Sequence, residues 1–150
     1  FMKILVDGDS CARKNAIISI AKKHNIPVEI YCDVNHHIED DYAVIHTVDQ
    51  SRNSADLRIV NNVAKNDIVI TNDIGLATIV LAREGIPMNN YGTVFTAHNI
   101  NEHINRSYML ANARRKSRRN SVKIPKRKVQ NKDSYKKSFN YQLKRAIARI

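Results

Sequence analysis

The sequence predicts an α/β fold, a three-layer sandwich built on a mainly parallel central sheet. Three observations carry that expectation. Short apolar runs alternate with stretches of helical spacing along most of the chain. The runs are apolar at nearly every position, the pattern of strands covered on both faces by helices. No internal repeat interrupts the alternation.

Taken in order, KILV (3–6) reads as a short buried strand. SCARKNAIISIAKKHN (10–25) reads as a helix with Ser10 as N-cap and Ala16, Ile17, Ile20 and Ala21 on its inward stripe. IPVEIYC (26–32) is the next strand, opened by Pro27 where a strand tolerates proline. NHHIEDD is a polar connection, and YAVIHTV (42–48) is a third strand. NSADLRIVNNVAK (53–65) is a helix capped by Asn53 or Ser54, with Leu57, Val60 and Val63 or Ala64 inward. DIVIT (67–71) is a compact buried strand, and DIGLATIVLAREG (73–85) a helix closed by Gly85. IPMNNYG (86–92) supplies a short last strand and a turn, and NINEHINRSYMLANARRKS (99–117) a further helix. The final segment, SYKKSFNYQLKRAIARI (134–150), places Phe139, Leu143, Ile147 and Ile150 on one helical side.

At 150 residues the chain can bury a real core, and its 43% hydrophobic and 26% charged residues are ordinary for a globular protein. No stretch approaches the ~20 apolar residues of a membrane span, and no signal-peptide pattern precedes Asp7. Only two cysteines occur, Cys11 and Cys32, which suits a reducing compartment. The expectation is a cytoplasmic protein with no membrane partner, its oligomeric state left open. The net charge of +11 divides unevenly. Residues 1–105 carry 9 Lys/Arg against 13 Asp/Glu, whereas residues 106–150 carry 16 against the single Asp133. The expected organisation is an α/β domain over 1–117, a basic linker or arm over 118–132, and a basic C-terminal helix over 133–150. Such a basic third points to a polyanionic partner, nucleic acid above all.

The carboxylates sit where an α/β fold does its chemistry, at the carboxyl ends of strands. Asp7 and Asp9 follow the first strand, and Asp73 follows DIVIT in TND (71–73). Asp56 lies in the first turn of the helix after the third strand. If the strands leading to Asp7 and Asp73 are neighbours, acids from distant sequence meet on one rim. Oxygen-only ligands of this kind suit Mg²⁺ or Mn²⁺. The plain alternative is helix capping, open to Asp73, Asp56 or Asp9 taken singly. Thr71 and Asn72 stand where a side chain would orient water or phosphate, and Arg13 and Lys14 either meet phosphate or line an exposed helix face. Cys11 has no neighbouring base and reads as a packed residue. The six histidines make no zinc pattern, since His36 and His37 adjoin and His98 and His103 are five apart. Neither phosphate-binding glycine motif occurs.

ILVDGDSC, the segment SADLRIVNNVAKNDIVITNDIGLA (54–77) and YGTVFTAHNI (91–100) together resemble the YaiI/YqxD group of bacterial proteins, the DUF188 family. That group is placed among the PIN-like nuclease domains. The resemblance implies a PIN-like sandwich whose acids bind Mg²⁺ or Mn²⁺ and cut RNA. The family's acids fall on Asp7, Asp56 and Asp73, with Asp9, Thr71 and Asn72 in support. Two departures stand out. PIN nucleases commonly carry a further acid after the last strand, where NNYGTVFTAHN has none before Glu102. KIPKRKVQ replaces a Gly/Pro-rich turn with lysines and arginines.

The functional expectation is a Mg²⁺- or Mn²⁺-dependent phosphodiesterase acting on RNA or single-stranded nucleic acid. Asp7, Asp56 and Asp73, supported by Asp9, would hold the ion. Arg114, Arg115, Lys116, Arg118, Arg119, Lys126, Arg127 and Lys128 would hold the backbone. A second expectation is a nucleic-acid-binding protein with a degenerate site. A third follows from the resemblance of DGDSC to the D-x-D loop of haloacid-dehalogenase phosphatases, with Asp7 as nucleophile, Asp9 as general acid and Lys65 as the downstream lysine.

Overall fold

The computed structural model describes residues 2–8, 11–34, 38–49, 54–120 and 132–149. The order of elements is β1 (Ile4–Asp7), α1 (Lys14–Lys23), β2 (Val28–Asp33), β3 (Val44–Val48), α2 (Ser54–Asn62), β4 (Ile68–Ile70), α3 (Ile74–Ala82), β5 (Ile86–Met88), α4 (Ile100–Asn120) and α5 (Lys132–Ala148). The five strands form one sheet in the order β3-β2-β1-β4-β5, and every named pair is parallel. The chain therefore builds outward from β1 through β2 to β3, then returns to lay β4 against the other edge of β1. Ile4, Leu5 and Val6 pair with Ile68, Val69 and Ile70, and all six side chains are fully buried.

Alternation along the strands sends these side chains to two cores. On one face Ile4, Val6, Ile68 and Ile70 pack with Ile17, Ile20 and Ala21 of α1 and with Phe139, Leu143 and Ala146 of α5. On the other, Leu5, Tyr31 and Val69 pack with Ile59 of α2, Val63 just beyond it, and Leu76 and Val80 of α3. A smaller cluster of Ala77, Phe95 and Ile100 docks the start of α4 onto α3. This is the three-layer α/β arrangement the periodicity predicts. Among the described residues no helix is long and apolar enough to cross a membrane.

Several local expectations need correction. Helix α1 starts at Lys14 with Arg13 in the cap position and no side-chain cap bond, and Ser10, the expected cap, lies outside the described residues. Pairing of β1 persists past its last residue, where the Gly8 N–H donates to the Tyr31 carbonyl at 2.7 Å, and the turn into α1 is displaced along the chain. The third strand begins at Val44 because Asp40 Oδ2 accepts from the N–H groups of both Tyr42 and Ala43, bending that segment. In α2 Ile59 is the fully buried residue, with Val60 and Val63 packed on the same core as expected, while Leu57 is 63% exposed. The helix is rotated so that Asp56, Ile59 and Val63 share a face, the i, i+3, i+7 spacing. Gly85 does not supply the left-handed turn that closes α3. Glu84 does, at φ 62°, with its N–H bonded to Leu81 O and that of Gly85 to Val80 O at 2.9 Å. Gly85 is needed for space, since a Cβ there would stand 2.7 Å from Val80 Cγ1.

The stretch expected as a linker starts inside α4, which runs on to Asn120, and residues 121–131 lie outside the described residues. Ile147 packs at the core margin, and Ile150 is outside the described residues.

Asp67, fully buried just before β4, anchors the amino edge of the sheet. Its carboxylate accepts from Lys3 Nζ at 2.7 Å, Lys3 N at 3.0 Å and Ala64 N at 2.8 Å. One side chain thus joins the starts of β1 and β4 to the end of α2. Replacing Asp67 with Ala strands a cation and two N–H donors in a low-dielectric place, at a cost of about 3 kcal/mol. Urea denaturation of Asp67→Ala measures this, and an unchanged midpoint would contradict the anchoring role.

Candidate functional site

The strand order reverses between β1 and β4, and the connections leaving these two strands part. The first leads to α1 on one face of the sheet, the second to α3 on the other. A crevice at the carboxyl ends of such strands is the usual ligand site of an open parallel sheet. The sequence-predicted acids come to this edge. Asp7 ends β1 on the same face as Leu5, and Thr71 follows β4 on the same face as Val69. Asp73 caps α3, and Asp56 lies in the first turn of α2.

Thr71 links the acids. Its buried hydroxyl donates to Asp7 Oδ2 at 3.2 Å and accepts from the Asp73 N–H at 3.1 Å. Asp73 Oδ1 in turn accepts from Leu76 N at 3.2 Å, so the capping role left open for Asp73 is realised. The Asp56 carboxyl lies beside that of Asp73. One residue therefore both starts a helix and faces a second carboxylate.

Crowding has an electrostatic consequence. Burial, the neighbouring Asp73 carboxyl and the negative charges of Asp73 and Asp7 push the Asp56 carboxyl up to about 7. Near neutrality the cluster holds a proton that isolated carboxylates would have lost. A cation relieves the same repulsion, and oxygen donors suit a hard one. Among the described residues no three His, Cys, Asp or Glu side chains form a ready-made ion cage. An ion of the Mg²⁺ type asks less of the protein than such a cage, since it takes one or two carboxylates and completes its shell with water and substrate phosphate. Asp9 lies outside the described residues.

Asn72 has a different task from the one its position suggests. Its Oδ1 accepts from the Asn90 N–H at 3.1 Å, tying the β4–α3 turn to the turn after β5. Arg13 Nε donates to the Asn90 carbonyl at 3.4 Å, which brings the start of α1 to that turn as well. Sequence reasoning missed Asn90, a buried amide with no pattern around it. The connection that follows is organised by amides: Asn89 Oδ1 accepts from Tyr91 N and Thr93 N, and Asn99 Oδ1 from Thr96 N. Cys11 is buried in the α1-side core, where burial pushes its thiol up, as expected of a packed residue. Lys65 lies before β4, at the opposite edge of the sheet, 4.0 Å from Glu84. It cannot serve Asp7, which removes the lysine that the phosphatase resemblance asks for.

Of the basic residues expected to hold a polyanion, Arg114, Arg115 and Lys116 are exposed on α4. Arg118 and Arg119 extend the same helix, and Lys126, Arg127 and Lys128 lie outside the described residues. None is tied by a described contact to the acidic edge.

Comparison with known proteins is consistent throughout. The model of the family described as "Uncharacterized BCR, YaiI/YqxD family" (DUF188) matches residues 5–149. A UPF0178 protein of Natranaerobius thermophilus is 41% identical over 140 residues, covering 90% of this chain and 91% of its own length. One from Alkaliphilus oremlandii is 39% identical, covering 99% and 96%. One from Clostridium kluyveri is 35% identical, covering 95% and 92%. No solved structure matches the chain.

The raised Asp56 carboxyl makes stability depend on pH. Unfolded, Asp56 ionises near its ordinary 3.8; folded, it keeps its proton to about 7. Between those values the folded chain binds more protons, so stability present below the lower value is lost as pH rises through the upper. Asp56→Asn removes that loss. Its urea midpoint exceeds the wild-type one at about pH 8, and the gap narrows towards about pH 4. A gap that stays constant across the range would contradict the crowding.

Proposed function

The chain belongs to the YaiI/YqxD family, and on that premise we propose that it is a Mg²⁺- or Mn²⁺-dependent phosphodiesterase acting on RNA or single-stranded nucleic acid. The observation that carries this reading is the placement of Asp7, Asp56 and Asp73 at the strand-order reversal, where burial and then the neighbouring acids raise the Asp56 carboxyl to about 7. The divided charge adds to it: an acidic body would repel a nucleic acid that the basic C-terminal third would hold.

Asp7 and Asp56, with Asp73, are the residues that would hold the ion. When bound, such an ion polarises a phosphodiester and lowers the pKa of a water for in-line attack. The protein's own part is positional. Thr71 keeps the Asp7 carboxylate turned to the edge, and Asp73 is fixed by its capping bond to Leu76. Asp56, once its proton leaves, offers a carboxylate from the facing helix. The Asn72–Asn90 bond holds the two turns that flank the crevice in register.

A second reading, nucleic-acid binding without cleavage, draws on one specific observation. The connection after β5 carries amides where a further acid would complete the set, and Asp73 is engaged as a cap. Binding that falls steeply with salt, with no cleavage under either metal, would favour it.

The decisive comparison is wild type against Asp7→Asn. Wild type takes up about one equivalent of Mn²⁺ by isothermal titration and cleaves RNA with Mn²⁺. Asp7→Asn, folded by circular dichroism, loses the uptake and about a hundred-fold or more of the cleavage. Cleavage that survives in purified Asp7→Asn protein would overturn the phosphodiesterase reading.

A further inference from the structure

Helix α5 is anchored by Phe139, Leu143 and Ala146, all buried in the α1-side core. Helical spacing then decides what its opposite side presents. Lys137, Tyr141, Lys144 and Arg145 stand at i, i+4, i+7 and i+8, one solvent-facing stripe. Each is exposed, and Tyr141 is 59% exposed with the Arg145 guanidinium 5.7 Å from its ring centroid. Around this ring the helix carries no acid between Ser134 and Ala148. An aromatic face left in water and ringed by cations is poorly explained by folding, which gains nothing from its exposure.

The start of α5 lies near the acidic edge. At the start of α5 the ring of Tyr135 meets that of Tyr91, with centroids 5.1 Å apart at 59°. Tyr91 follows Asn90, whose N–H is held by Asn72 between Thr71 and Asp73. From Tyr135 to Arg145 the helix adds about 15 Å of travel. Aromatic faces alternating with cations are how proteins hold single-stranded nucleic acid: bases stack on the rings and phosphates meet the charges. A duplex keeps its bases stacked inside and has no use for exposed rings.

We infer that Lys137, Tyr141, Lys144 and Arg145 form a track for single-stranded nucleic acid along α5, a helix whose start lies near the acidic edge. The track rests on the nucleic-acid part of the proposed function and not on its metal chemistry. It also differs from the α4 and arm cations read from the sequence, because it includes an exposed ring on which a base of a single strand can stack.

The test is binding without metal. Fluorescence anisotropy of a labelled twelve-nucleotide (about one short site) single-stranded RNA, titrated with full-length protein in EDTA, is compared with a duplex of the same sequence. The expected result is tighter binding of the single strand, weakened about ten-fold in Tyr141→Ala and kept within about two-fold in Tyr141→Phe. Lys137→Gln with Lys144→Gln lowers the slope of affinity against salt by roughly one to two ions. Tyr141 is at the surface, so its variants keep the wild-type melting temperature. Wild-type affinity in Tyr141→Ala, equal affinity for the duplex, or no single-strand binding by wild type would each overturn the track. Intact EDTA binding in a protein that never cleaves would overturn the nuclease reading and leave the track standing.

Discussion

The parallel pairing of β1 with β4 is the contact on which the rest of the structure depends. It places two chain segments more than sixty residues apart side by side, and it is the point where the strand order reverses. Because the chain leaves β1 toward one face and β4 toward the other, the two connections part at the end of this pair. What stands there is a threonine hydroxyl between two aspartates. Burial and the charges of Asp73 and Asp7 raise the Asp56 carboxyl, so this rim is unfavourable on its own. The acids are held together by what lies beneath: six fully buried aliphatic side chains in register, and the Asp67 anchor at the far edge.

The two ends of the sheet thus use aspartate in opposite ways. Asp67 is buried with a cation and two N–H donors directed at it, so its charge is satisfied within the fold. Asp7 and Asp73 accept hydrogen bonds from Thr71 and Leu76 yet share their edge with Asp56, whose carboxyl is raised to about 7. Structural economy explains the first cluster. It does not explain the second, which is why the second is the candidate site.

The C-terminal helix converts a charge asymmetry of the chain into one of the surface. Apolar residues along one side of α5 bury it on α1, and the loop after β5 approaches it so closely that Gly92, at φ +89°, has Ser138 and Phe139 backbone atoms 3.0 Å from where a Cβ would be. A larger residue there would force the helix away from the edge. The cations on its other side are consequently held on a fixed helix of the α1 face.

Much of this was legible in the sequence. Apolar runs marked all five strands, and strand ends marked Asp7, Thr71 and Asp73, because hydrophobic periodicity and helix capping are local properties of the chain. Leu57 and Ile59 were harder, since several rotations of α2 bury an aliphatic stripe and only contact with Leu5 and Val69 selects one. Gly85 was misread for a similar reason: its sequence position fits a helix stop, but what excludes a side chain is Val80 packed across the turn. Asn90 had no local signal at all, its partner lying eighteen residues away. The sequence by itself determined which residues form strands and which carboxylates end them. Only the tertiary structure decided that β1 and β4 are neighbours, that α2 turns Asp56 toward them and that α5 packs beside α1 on one face. Strand order and helix rotation are set by non-local packing, which no window of sequence contains.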